Sequence, residues 1–133
     1  MRKLSTALLI YLGLASAALA QTSFPVPSQQ VSIAGTVAAA TRIVTAPTGK
    51  QIVVTSLQQI PVATSVVTYT YGTGTNCGTG TTSLTGAMTF AAGQILNMGS
   101  GNGPILILPP GNDLCVTIAT AAAPGSLVYT LVP

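Results

Sequence analysis

Ser65-Val66-Val67-Thr68-Tyr69-Thr70-Tyr71 (SVVTYTY) is the stretch that decides the fold class. Every residue after Ser65 is β-branched or aromatic. Such side chains lose χ1 freedom in a helix and fit well on a pleated surface. Strand alternation puts Val67, Tyr69 and Tyr71 on one face and Val66, Thr68 and Thr70 on the other.

The same signal continues outward. Upstream, "QIVVTSL" (Gln51 to Leu57) and "TRIVT" (Thr41 to Thr45) flank the turn "APTGK", in which Pro47 sets φ and Gly49 is free to take a positive value. Val31, Ile33, Gly35 and Val37 alternate with Ser32, Ala34 and Thr36, a period of two. "TVAAAT" is too short to stand as a helix. Downstream come "SLTGAMTF" (Ser83 to Phe90), "QILNM" (Gln94 to Met98), the loop "GSGNG" and "PILIL" (Pro104 to Leu108). The last is apolar on both faces, as in a fully buried strand. After the turn "PPGND", "LCVTIAT" (Leu114 to Thr120) and "SLVYTLV" (Ser126 to Val132) close the chain. About eight or nine short strands with turn signals every ~8–12 residues predict an all-β antiparallel β-sandwich. A jelly-roll-like arrangement is the first choice, because the strand number suits two Greek keys. An immunoglobulin-like sandwich is the alternative, with no Trp to pack on a disulfide.

The N-terminus reads differently. Arg2 and Lys3 precede an apolar run from Leu4 to Leu19, and Ala18-Leu19-Ala20 is an A-x-A cleavage site. Residues 1–20 are expected to be a secretory signal peptide, cleaved near Ala20, with the product secreted, extracellular or in the cell envelope and not held in a membrane. Gln21 to Gln30, "QTSFPVPSQQ", reads as an extended arm, with Phe24-Pro25-Val26-Pro27 either docking on a neighbour or forming a loose tail. Residues 31–133 then form one domain.

Only 4% of the chain is charged, and beyond residue 20 the charged side chains are Arg42, Lys50 and Asp113. No basic patch is left to bind nucleic acid. Near-neutral surfaces associate readily, so a homo-oligomer, trimer or polymer, is expected, set against a monomer with a neutral polar coat. His and Glu are absent and Asp113 is placed in a turn. General acid–base work, carboxylate-pair hydrolysis and nucleophilic triads therefore lack their groups, and no catalytic residue is assigned. With two cysteines and one acid, no metal and no cofactor is expected. Cys77 and Cys115 are an even pair in a secreted chain and point to an intrachain disulfide; two free buried thiols or intermolecular bridges are the alternatives.

"YGTGTNCGTGTT" (Tyr71 to Thr82) admits three readings. A phosphate loop needs a following helix and usually a Lys, and neither is in the pattern. An ice-binding face needs ranks of Thr on adjacent strands, and the T-x-T pairs are interrupted by Gly72, Gly74, Gly78 and Gly80, which are expected to break any strand. The structural reading is the strongest: Tyr71 ends a strand, Asn76 bonds within a turn, and Cys77 staples the loop to the "LCV" strand. Candidate ligand or assembly contacts are Tyr69, Tyr71, Asn76, Asn102 and Tyr129. With Asn97 and Asn112, the tyrosines and Asn102 would suit a surface glycan.

"YGTGTNCGTGTTSLTGAM", "GSGNGPILILPPGNDLCVT" and "GSLVYTLV" resemble a family of small β proteins, mostly uncharacterised, encoded by phages, prophages and bacteria. Its pattern is a Y-G-T-G-x-x-C-G-T-G-T block, a G-P-x-L-x-x-P-x-G turn, L-C-V and G-x-L-x-Y, and the likeness covers Gly49 to Pro133. The resemblance implies a structural or surface role, such as a virion decoration or tail component. The leader points instead to an envelope or secreted product, or to a phage-derived gene put to another use. The expected function is a secreted, non-catalytic structural subunit that self-associates on a cell or particle surface as a coat, fibre or decoration protein. An adhesin or carbohydrate-binding module and a virion component are the alternatives.

Overall fold

The computed structural model describes residues 28–99 and 103–133. The expected leader, the arm up to residue 27 and Asn102 lie outside them. The strands are β1 (Gln29–Ile33), β2 (Ala38–Val44), β3 (Gln51–Gln59), β4 (Ser65–Thr73), β5 (Thr79–Ser83), β6 (Met88–Phe90), β7 (Leu96–Met98), β8 (Leu106–Ile107), β9 (Asp113–Ala119) and β10 (Gly125–Val132). A 3-10 turn spans Thr75–Cys77. No helix among the described residues is long and apolar enough to cross a membrane.

Two antiparallel sheets face one another. The first runs β1-β10-β3, with β7 and β8 on the far side of β3; the second runs β2-β9-β4, with β5 and β6 beyond β4. β7 pairs with Leu57, Gln58 and Gln59, and β8 pairs with Val53 and Val54, so these two short pieces lie end to end as one interrupted strand. β5 and β6 do the same along β4. With each pair taken as one strand, first lies beside last in one sheet and second beside next-to-last in the other. That nesting is the jelly roll.

The core lies between the sheets and follows the alternation. Val67 and Tyr69 of β4 and Leu114, Val116 and Ile118 of β9 point into it. In β3 the phase changes midway: Ile52 and Val54 are buried, then Leu57 and Gln59. A bulge explains the change. Val128 pairs with Ser56 and Tyr129 with Val54, leaving Thr55 as the extra residue. The bulge keeps Leu57 opposite Leu127, both fully buried, and burial of such a side chain stabilises by ~1.5–3 kcal/mol.

Several boundaries differ from the sequence expectation. The alternation from Val31 to Val37 is not one strand. It breaks at Gly35, which has φ 72° and packs so closely on the Pro124 backbone that a Cβ would sit 2.2 Å from the Pro124 nitrogen. Ala38 to Ala40 instead begin β2. The glycines of the Gly-Thr stretch do not all end strands either. β4 continues through Gly72 to Thr73, and β5 contains Gly80. A Cβ on Gly72 would lie 2.9 Å from the carbonyl oxygens of Cys77 and Thr79, so glycine is needed there for close approach. Between Ser83 and Met88 the strand is interrupted, and Leu84 N–H (2.8 Å) and Thr85 N–H (3.3 Å) both donate to the Tyr69 carbonyl. "PILIL" is not buried on both faces: Leu108 is fully buried while Ile107 is 54% exposed. Ile107 belongs to the edge of a sheet with one solvated face.

The hairpin ends sort into two groups. The β1–β2, β3–β4, β6–β7 and β9–β10 connections lie at one end of the sandwich. The β2–β3, β4–β5 and β8–β9 connections lie at the other, with the start of β1 and the end of β10.

Candidate functional site

The Gly-Thr stretch forms a lid on the outer face of the second sheet. Leu114 and Val116 face the core, so Cys115 between them faces outward, flanked across the ladder by Arg42 on β2 and Thr70 on β4. Residues 74–78 fold over it, and Cys77 is disulfide-bonded to Cys115 with a Cα–Cα separation of 6.3 Å. Intermolecular bridging and free thiols are thereby set aside. Asn76 (φ 50°) and Cys77 (φ 58°) are both left-handed, as is Gly74 (φ 76°). This path is uncommon for side-chain-bearing residues other than Asn and Asp. The Asn76 side chain does not bond within its own turn as expected: its Oδ1 accepts from the Arg42 N–H on β2 at 3.3 Å, which helps to hold the path. Threonines do not form ranks on this face: Thr68 pairs with Thr117, but the flanking pairs are Val66 with Ala119 and Thr70 with Cys115. A regular ice-matching lattice is not built.

Asp113 corrects another expectation. It is the first residue of β9 and buried, not a turn residue. One carboxylate oxygen accepts from Ala46 N–H at 2.9 Å and the other from Arg42 Nη1 at 3.1 Å. The chain's one acid is thus committed to joining the β2–β3 connection to β9. Replacing it with Ala leaves Ala46 N–H and the guanidinium without their acceptor, at an expected cost of about 1–2 kcal/mol. Asp113→Asn, which keeps an acceptor for Ala46, is expected to cost less. Urea unfolding of the two variants checks the order, and equal stability of Asp113→Ala and wild type would contradict it.

The tyrosines are not gathered into a binding platform. Tyr69 has no exposed surface. Its hydroxyl donates to Gln59 Oε1 at 2.5 Å, and Gln59 Nε2 donates to the Ala123 carbonyl at 2.8 Å. Burial raises its pKa well above the usual tyrosine value. As a ligand contact, Tyr69 is corrected to a core residue that ties the two sheets. Tyr71 is half-buried against the core on β4, and Tyr129 lies on β10 of the opposite sheet with its hydroxyl donating to Gln29 Oε1 at 2.6 Å. Asn112 donates to the Pro110 carbonyl (3.2 Å) as a turn former, and Asn97 is exposed on β7. Asn102 lies outside the described residues. A cleft of about 100 Å³ between β1 and β2 is lined by Ile33, Gly35, Thr41, Arg42, Val116 and Ile118. It is far smaller than the ~300–1,000 Å³ that organic ligands occupy.

What the sequence reading missed is the end of the sandwich made by the four loops 34–37, 60–64, 91–95 and 120–124. They are knit together: Ile60 N–H bonds the Pro124 carbonyl (3.0 Å), Val62 N–H the Ala122 carbonyl (3.0 Å), Gly93 N–H the Pro61 carbonyl (2.8 Å) and Ala123 N–H the Gly35 carbonyl (2.8 Å). None of the four contains a charged residue. Val37 (55% exposed), Ile60 (42%), Val62 (66%) and Ile95 (57%) all project from this end. The available signal was aliphatic residues inside turns, "IPVAT" and "AAGQI", where polar residues are usual. The three charged side chains of the domain sit elsewhere: Asp113 and Lys50 at or beside the opposite end, and Arg42 beside Cys115. In comparisons with known proteins, no family model matches this sequence, and neither a curated protein nor a solved structure matches it.

Proposed function

We propose that this chain is a secreted, non-catalytic structural subunit that self-associates, and that its charge-free loop end is a contact surface. The observation that carries the reading is the set of four exposed aliphatic side chains on hydrogen-bonded loops without a single charge. Burying such a surface gains the hydrophobic term with no charge to desolvate. Its rim of Thr, Gln and Ala backbone and side chains desolvates more cheaply than a Lys- and Glu-rich surface. Secretion rests on the leader-like residues 1–20, and the lack of a catalytic role on a chain with no His, no Glu and one committed acid.

Light scattering after size exclusion, on leader-free protein over a hundredfold range of concentration, tests the reading. Assembly that grows with concentration is expected, and a monomer throughout would end it.

A further inference from the structure

We infer that the apolar loop end is the acceptor for the Phe24-Pro25-Val26-Pro27 arm of a second copy, so that copies join head to tail. The inference rests on the self-association reading above and names its partner segment. Its first support is where the arm leaves the fold. Gln29 pairs with Tyr129 towards the end of β10, and Ile33 pairs with Gly125 at its start. β1 therefore enters the sandwich at the end opposite the apolar loops, and Gln29, to which the arm is joined, lies at that far end.

The second support is reach. From Phe24 to Gln29 the chain spans at most ~18 Å fully extended. Returning along β1 to its own loop end consumes ~13 Å, and a chain reversal and the height of the loops come on top. Pro25 and Pro27 oppose the reversal, because each fixes its own φ and holds the residue before it extended. Val26 can reach at most ~11 Å and falls short of the loop end of its own domain, and Phe24 is left with only ~5 Å for the reversal and the loops, whereas a copy stacked beyond the arm presents that end to both directly.

The third support is matching chemistry. The arm's apolar run carries no charge, and neither does the loop end with Val37, Ile60, Val62 and Ile95. Donor and acceptor sit at opposite ends of one molecule, so the contact is heterologous and leaves a free donor and a free acceptor after every addition. That geometry builds a row of copies, not a closed twofold pair.

The test uses leader-free protein in two variants, Phe24→Ser with Val26→Ser on the arm and Val62→Asp on the loop end. Val62 is mostly exposed and the arm precedes β1, so both variants should keep the wild-type circular dichroism and melting curve. By light scattering, wild type should form a distribution beyond dimer, and each variant alone should be monomeric. Their equimolar mixture should stop at a one-to-one dimer, because the Val62→Asp copy supplies an intact arm and the other an intact acceptor. If wild type assembles and the arm variant assembles equally, the arm assignment is overturned while self-association stands. A mixture of two monomeric variants that does not pair, or a wild type that stops at a dimer, overturns the head-to-tail arrangement. A monomeric wild type removes the self-association reading itself, and this inference with it.

Discussion

Replacing Cys77 and Cys115 together with serine is expected to lower stability by about 4 kcal/mol, the largest effect of any substitution considered. The bond closes a loop with a sequence separation of 38, and the chain-entropy relation for a loop of that size gives ~4 kcal/mol at 25 °C. For a domain of this size the melting point should fall by on the order of 15 °C. The location of the bond says what else should happen. Cys115 faces away from the sandwich core, beneath residues 74–78. Removing the bond should therefore release the lid, with its left-handed Asn76 and Cys77, and leave both sheets folded. Hydrogen exchange should rise first at residues 74–78, with far-ultraviolet dichroism kept at low temperature. A melting point unchanged by the double substitution would show that the lid adds nothing to the domain's cohesion.

The second large effect is expected at Tyr69. Its hydroxyl and the Gln59 amide form a buried chain ending on the Ala123 carbonyl, and this chain links β4 of one sheet to β3 of the other. Tyr69→Phe keeps the ring and strands Gln59 Oε1 in the core, which should cost about 2–3 kcal/mol. Adding Gln59→Met removes the stranded Oε1 but also the donor to the Ala123 carbonyl, so the double variant should cost less than the sum of the two single ones without returning to wild type. A double-mutant cycle in urea measures the coupling, and strictly additive costs would deny it. Alkaline pH supplies an independent readout. Burial raises the Tyr69 pKa in the folded state above its unfolded value, so the folded chain holds this proton more tightly. The contribution is intact below ~10, the unfolded tyrosine pKa, and is lost as pH climbs above it. Wild-type stability should decline there by up to ~1.4 kcal/mol per pH unit from this group, and the slope should be shallower in Tyr69→Phe.

The readable parts of the fold were those in which local pattern and tertiary environment agree. Ser65 to Tyr71 alternates cleanly because one of its faces meets the core along nearly its whole length. Leu114 to Thr120 and Ser126 to Val132 were placed within a residue or two of β9 and β10. The Cys77–Cys115 pairing followed from an even count in a chain with a leader-like start. The unread parts depend on contacts distant in sequence. Nothing near Thr55 announces the bulge, which exists because Leu57 and Val54 must both face the core opposite β10. Asp113 looked like a turn residue because its neighbours are Pro109, Pro110, Gly111 and Asn112; its partners Ala46 and Arg42 lie far up the chain. "PILIL" misled because hydrophobicity alone does not separate a strand buried on both faces from an edge strand with one solvated face. The candidate contact surface was the least legible, since each of its four loops has an aliphatic or alanine-rich look of its own and becomes a patch only when the strands bring all four to one end.

The ladder between β1 and β10 has a temporal consequence. Among the described strands the first, β1, finds its sheet neighbour in the last, β10, and β10 also supplies the contact that joins β1 to β3. During translation the first sheet cannot close until Gly125 to Val132 have emerged, so β1 and β3 wait for a strand made about 70 residues or more after them. Until then β1 has no strand to pair with, and its backbone donors and acceptors stay in water.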